Sequence, residues 1–204
     1  MRVRPLTIPD AVELSPVRHA DDRGLFVELF RVDRASELLG HAFTPAQVNL
    51  SVSRRGVLRG IHYADVPLGQ AKYVTVPSGR VLDFVVDLRV GSPTFGTWDS
   101  VVLDDEERRV LYLAEGLGHA FLALSDEATV CYLVSDVFRP EREHAVDPFD
   151  PQLGLEFPVP VDELVLSDKD REAPSLAAAL ESGALPTWDA SRRRYAELAG
   201  EGAR

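Results

Sequence analysis

Ten residues, Val81–Val90 (VLDFVVDLRV), constrain the fold more than any other stretch of the chain. One parity carries Leu82, Phe84, Val86, Leu88 and Val90, all apolar; the other carries Val81, Asp83, Val85, Asp87 and Arg89. A period of two is the mark of a β-strand with one face in a core, and no helix gathers these residues on one side. Gln47–Ser53 alternates more cleanly, with Val48, Leu50 and Val52 on one side and Gln47, Asn49, Ser51 and Ser53 on the other. The ordinary expectation puts the valine side inside and the polar side in water. Leu25–Arg31, Lys72–Val76, Trp98–Leu103, Arg109–Leu113 and Thr129–Val137 are further candidate strands. Asp22-Arg23-Gly24, Pro77-Ser78-Gly79 and Gly91-Ser92-Pro93 punctuate them as turns. Many short strands at this spacing predict an all-β protein, an antiparallel jelly-roll sandwich or small barrel.

Helix is expected only at the margins, at Arg34–Leu39, at Ser175–Glu181 (N-cap serine, stop at Gly183) and at Ser191–Ala199. A single domain is expected over residues 1–204: a barrel core at about 21–137, a proline-rich extended surface segment over 138–174, and a helical extension over 175–204. Hydrophobic content of 45% is enough for a core, and the net charge of −11 argues against nucleic acid as a partner. One cysteine, Cys131, excludes an intrachain disulfide and reads as a core residue. No run resembles a signal peptide or a membrane span, so the cytoplasm is the expected compartment.

The polar residues on the strands raise the question of function. Val57–Val76 (VLRGIHYADVPLGQAKYVTV) carries Arg59, His62 and Lys72 on what otherwise reads as strand. Simple alternation puts Arg59 and His62 on opposite faces; Gly60 between them marks a bulge that would realign them. His62 and His119 alone are an incomplete metal-ligand set. No nucleophile elbow and no phosphate-cradling glycine loop occurs. General acid–base chemistry remains: a histidine base, a tyrosine acid and a lysine for an oxyanion are what proton removal beside a carbonyl needs. Taken one by one, each of these residues has an equally ordinary structural reading.

Five ordered blocks narrow the choice: RRGVLRGIHY (Arg54–Tyr63), GQAKYV (Gly69–Val74), DLRVGSPTFGTWDSV (Asp87–Val101), EGLGHAFLAL (Glu115–Leu124) and LSDKDREAP (Leu166–Pro174). Together they resemble the dTDP-4-dehydrorhamnose 3,5-epimerase family of cupins over about Asp21 to Pro174. The resemblance implies a cupin-type jelly roll, a homodimer, no metal or other cofactor, and a dTDP-linked 4-keto-6-deoxy sugar as substrate. It implies His62 as the base that removes the proton next to the C4 ketone, Asp170 or its neighbour Asp168 as the carboxylate that orients it, Lys72 at the enolate oxygen and Tyr132 as the acid. It also implies sugar and diphosphate binding by Gln47, Asn49, Arg59 and His119. Nucleotide contacts would come from Arg23 and Glu28, within one chain or across a dimer, thymine stacking from Phe138, and weaker contacts from Glu143 and Lys169. Ala145–Pro151 departs from the family's usual Gly-Ile-x-Trp-Asp-Asp-Pro and leans toward members serving antibiotic-sugar pathways, which leaves inversion at C3, C5 or both open. A sugar-nucleotide-binding barrel without turnover and a metal-dependent cupin are the competing expectations.

Overall fold

In the computed structural model, which describes residues 1–201, the alternating stretches become thirteen strands. In chain order these are β1 (Arg2–Pro5), β2 (Ala11–Ser15), β3 (Arg18–Asp21), β4 (Gly24–Val27), β5 (Gln47–Arg54), β6 (Leu58–Ala64), β7 (Lys72–Ser78), β8 (Arg80–Asp87), β9 (Trp98–Asp104), β10 (Val110–Leu113), β11 (Leu117–Ala123), β12 (Glu127–Val134) and β13 (Glu143–Ala145). The helices are α1 (Val32–Leu39), α2 (Asp168–Arg171), α3 (Leu176–Glu181) and α4 (Trp188–Glu201). A six-stranded sheet runs β1-β2-β10-β7-β12-β5 and a five-stranded sheet runs β13-β6-β11-β8-β9, every named pair antiparallel. β3 and β4 form a separate hairpin. This is the jelly-roll sandwich that the period-two pattern predicts.

The two sheets enclose an apolar layer that includes Val74, Val76, Val81, Val85, Leu103, Phe121 and Val130. Residues on β8 are buried on both faces. Phe84 and Val86 point outward, where Leu153, Leu164, Leu166, Leu176 and Leu185 cover them. The polar parity does not face water: Asp83 and Asp87 are both fully buried. The proline-rich stretch, expected as an extended surface segment, is therefore in part the lid of a second core. It is tied down by Leu58 N–H to the Val165 carbonyl (3.0 Å) and Val165 N–H to the Gly56 carbonyl (2.9 Å). A third layer, with Tyr73, Tyr112, Phe43 and Tyr195, lies outside the six-stranded sheet beneath α1 and α4.

β5 reverses the ordinary expectation for its two faces. Val48, Leu50 and Val52 are the exposed side, at 61%, 64% and 51%, while Ser53 on the polar side is buried. The strand is at the edge of its sheet, and among the described residues its outer face is left largely uncovered. Alternation identifies the strand but not which face turns inward.

The block DLRVGSPT is structural. The Asp87 carboxylate accepts from Arg89 Nε and Nη2 (both 2.9 Å), Ser92 Oγ and Thr94 Oγ1 (both 2.6 Å). Burial raises the Asp87 carboxyl, but these donors outweigh it and hold it below the ordinary range. Arg89 also reaches Asp10 (2.7 Å) and lies over the Trp188 ring at 4.6 Å, joining the N-terminal strands to α4. Removing one partner of a buried pair strands the other charge. Arg89→Ala is expected to lower the unfolding free energy by about 3–5 kcal/mol in urea titrations.

Candidate active site

Arg59 and His62 share the inner face of β6 because the strand is bulged. His62 stands opposite His119 on β11, but Arg59 stands opposite Phe121. Three residue steps on β6 thus match two on β11. Leu58, Ile61 and Tyr63 remain in the outer core. Only glycine fits the bulge. Gly60 has φ +111°, and a Cβ there would stand 2.4 Å from the His119 carbonyl oxygen and 2.7 Å from Ala120 Cα. The bulge anticipated at Gly60 is present.

The His62 imidazole is half-exposed, and its Nε2 lies 2.6 Å from Asp170 Oδ1. Asp170 sits on α2, where the Ser167 side chain caps the helix by accepting from the Asp170 N–H. The ambiguity between Asp168 and Asp170 resolves here, since Asp170 is buried and Asp168 is exposed. Burial raises the Asp170 carboxyl. The hydrogen bond and charge of His62, with Ser167 and the Gly60 N–H, more than offset it, so the group lies below the ordinary carboxylate range.

A second dyad lies alongside. His119 Nε2 is 2.7 Å from Asp83 Oδ1, and Asp83 Oδ2 is buried without a partner. Lys72, at the start of β7, is buried, and burial pushes its ammonium down against the pull of Glu143 and Asp83. Burial pushes the Asp83 carboxyl up. Tyr132 on β12 packs against the layer between the sheets, opposite Asn49 on β5 and Val74 on β7. Burial raises its phenol, opposed by Arg59 and reinforced by Glu143. Glu143 thus acts on both Lys72 and Tyr132, while β13, which carries it, pairs with β6 through Ala145 and His62. The inner side of β5 adds Gln47, whose Nε2 donates to Asn49 Oδ1 (2.7 Å), and Ser53, which accepts from Arg59 Nε (3.1 Å). Ser51 Oγ is buried without a partner.

The structure brings His62, Asp170, Lys72, Tyr132, His119, Arg59, Gln47, Asn49 and Glu143 into this one region. It does not bring the rest there within one chain. Arg23, in the β3–β4 turn, has a 90% exposed side chain that pairs with Asp21, and Glu28 faces Arg31 at 3.7 Å. Phe138 is exposed, although its N–H donates to Gln47 Oε1 (2.9 Å). Lys169 is exposed on α2. Asp83, Ser51 and Ser53 join the site without having been singled out. Their signal was the polar parity of β8 and β5, which the ordinary reading assigns to water. Among the described residues, no group of three or more His, Cys, Asp or Glu side chains converges as metal ligands would.

A base held by a buried carboxylate, a protonated phenol on the facing sheet and a buried cation can move protons on and off carbon beside a carbonyl. Comparison with known proteins agrees. A family model for dTDP-4-dehydrorhamnose 3,5-epimerase matches residues 5–178. A dTDP-4-dehydrorhamnose 3,5-epimerase of Mycolicibacterium smegmatis is 57% identical over 188 residues, 92% of each chain. A dTDP-4-dehydrorhamnose 3-epimerase of Streptomyces niveus is 53% identical over 92% of this chain and 90% of its own. Among solved structures, a 3'-monoepimerase from Streptomyces bikiniensis in complex with dTDP-quinovose superposes with a TM-score of 0.92 at 48% identity, covering 96% of this chain and 98% of that one.

Because the Asp170 carboxyl is depressed in the fold, its contribution is present above the ordinary carboxylate pKa of about 3.9 and lost as pH falls through its native value. Asp170→Asn is therefore expected to cost about 2 kcal/mol in urea unfolding at pH 7, with the gap to the unsubstituted protein closing toward pH 3. A gap that does not change with pH would contradict the assignment.

Proposed function

The chain belongs to the dTDP-4-dehydrorhamnose 3,5-epimerase family, and from that premise we propose how its residues divide the work. It is an epimerase of dTDP-linked 4-keto-6-deoxyhexoses in deoxysugar biosynthesis. The observation that carries the assignment of roles is that His62 and Tyr132 stand on facing sheets, β6 in one and β12 in the other.

His62 takes the proton from a carbon flanking C4, and the electron pair moves into the C4 oxygen as an enolate. With Nε2 engaged by Asp170, Nδ1 is the free base. The ionised Asp170 holds the ring in that tautomer and supports the imidazolium. Lys72 stabilises the enolate oxygen, and its burial makes the charge count for more than it would in water. Tyr132, kept protonated by burial, returns a proton to the opposite face as the ketone reforms. The carbon is inverted with no net oxidation. C3 and C5 both flank C4, and the family includes enzymes named for one centre or both. Arg59, His119, Gln47 and Asn49 bind the sugar and diphosphate, Arg59 by its guanidinium fork. Phe138 and Lys169, both exposed, are assigned to the nucleotide on the family resemblance alone.

The active unit is proposed to be a homodimer. Val48, Leu50 and Val52 on β5 and Leu25 and Phe26 on the β3–β4 hairpin form exposed apolar surface that a second copy would cover. A hairpin reaching that copy would carry Arg23 and Glu28 to its site. Among the described residues no helix is long and apolar enough to cross a membrane; the cytoplasm is the proposed compartment. Sedimentation should give a dimer that Leu50→Asp converts to monomer. A monomeric unsubstituted protein would refute this.

Incubation with a dTDP-4-keto-6-deoxyhexose in deuterated water, followed by NMR at each position, tests the reaction. Deuterium should enter at C3, C5 or both; no uptake overturns the assignment. His62→Ala should lose about 10³-fold in exchange, whereas Tyr132→Phe should still exchange without inverting. Lys72 is depressed by burial, so the alkaline limb of kcat should fall below the ordinary lysine pKa of about 10.4 and move upward in Lys72→Arg. An unmoved limb would remove Lys72 from the enolate.

A further inference from the structure

Glu115 lies outside the reaction scheme, yet it is buried to 1% exposure in the loop between β10 and β11. Helix α4 grips it twice. Arg194 Nε reaches its two carboxylate oxygens at 3.2 and 3.4 Å, and the Tyr195 hydroxyl donates to its backbone carbonyl. The backbone N–H of Gly69 faces the same carboxylate. A Cβ at Gly69 would meet the Asp65 carbonyl oxygen at 2.8 Å and Glu115 Cβ at 3.3 Å, so the two segments are in close contact.

These are the segments that lead into the site. Four residues after Glu115 comes His119, and three after Gly69 comes Lys72. The turn after Gly69 also holds the loop that follows β12. Gln70 Nε2 donates to the Asp136 carbonyl (3.1 Å) and the Ala71 N–H to Ser135 Oγ (2.9 Å). One carboxylate therefore ties the C-terminal helix to the strand entrances that carry the enolate cation and the second histidine.

We propose that the Glu115–Arg194 pair is a positioning device, through which α4 sets where Lys72 and His119 stand against the substrate. The inference rests on the epimerase reading above. The physical reason is that displacing a catalytic group by a fraction of an ångström to an ångström costs rate more than binding. A pair that merely docked α4 would cost stability and nothing more.

The test uses the full chain and the deuterium-exchange rate. Glu115→Gln and Arg194→Met should each cut kcat by about tenfold while KM changes by less than about twofold. The double variant should be no slower than the slower single, because the two residues act as one unit. Arg194→Lys should recover part of the loss. Ala196→Gly is the control: it weakens α4 at an exposed position next to Tyr195 and should lower Tm with kcat unchanged. Full kcat in both Glu115→Gln and Arg194→Met would overturn the proposal, as would an equal kcat loss in Ala196→Gly. If Glu115→Gln fails to fold, Arg194→Met and Arg194→Lys carry the same comparison. No exchange in the unsubstituted protein would remove the epimerase reading and this inference with it; normal exchange there and in both variants would remove this inference alone.

Discussion

A regular strand cannot present two residues three positions apart on one face, and the site needs Arg59 and His62 to do so. The bulge at Gly60 meets that need, and it depends on a backbone so close to His119 and Ala120 that no side chain fits. The same distortion turns the Gly60 N–H toward Asp170, so the residue that realigns the base also helps hold the carboxylate that orients it. Ile61 and Tyr63 stay in the outer core, which fixes the strand on one side while the other is freed for chemistry.

Charge inside the barrel is tolerated because it is shared out. An acidic protein has little use for buried carboxylates unless cations answer them. Lys72 is the cation within the fields of Asp83 and Glu143, while Asp170 and Asp83 each lie within hydrogen-bond distance of a histidine ring nitrogen, of His62 and His119 respectively. Among the described residues, Asp83 Oδ2 and Ser51 Oγ are buried without a hydrogen-bond partner.

Strand identity was legible from alternation, as β5, β7, β8 and β9 show, and α3 was legible from its N-cap serine and the glycine beyond its end. Facing was not. Val48, Leu50 and Val52 look like core, but they lie on the outer side of an edge strand; burying them takes a surface this chain does not supply. The polar parities of β5 and β8 likewise turn inward, with Ser53 and Asp83 buried. Which of two carboxylates, Asp168 or Asp170, meets His62 depends on the phase of one short helix, and no motif records that phase. DLRVGSPT stood out in sequence as part of a family pattern, yet its polar residues hold Arg89 in the core and lie apart from the chemistry.

The central claim is geometric: one ring carbon lies between an imidazole on one sheet and a phenol on the other. A crystal structure with an unreactive dTDP-hexose lacking the C4 ketone tests it directly. The account predicts a single carbon flanking C4 with His62 Nδ1 on one face and the Tyr132 hydroxyl on the other, each within about 3.5 Å. Both groups on the same face of the ring, or a sugar seated outside the space between the sheets, would contradict it.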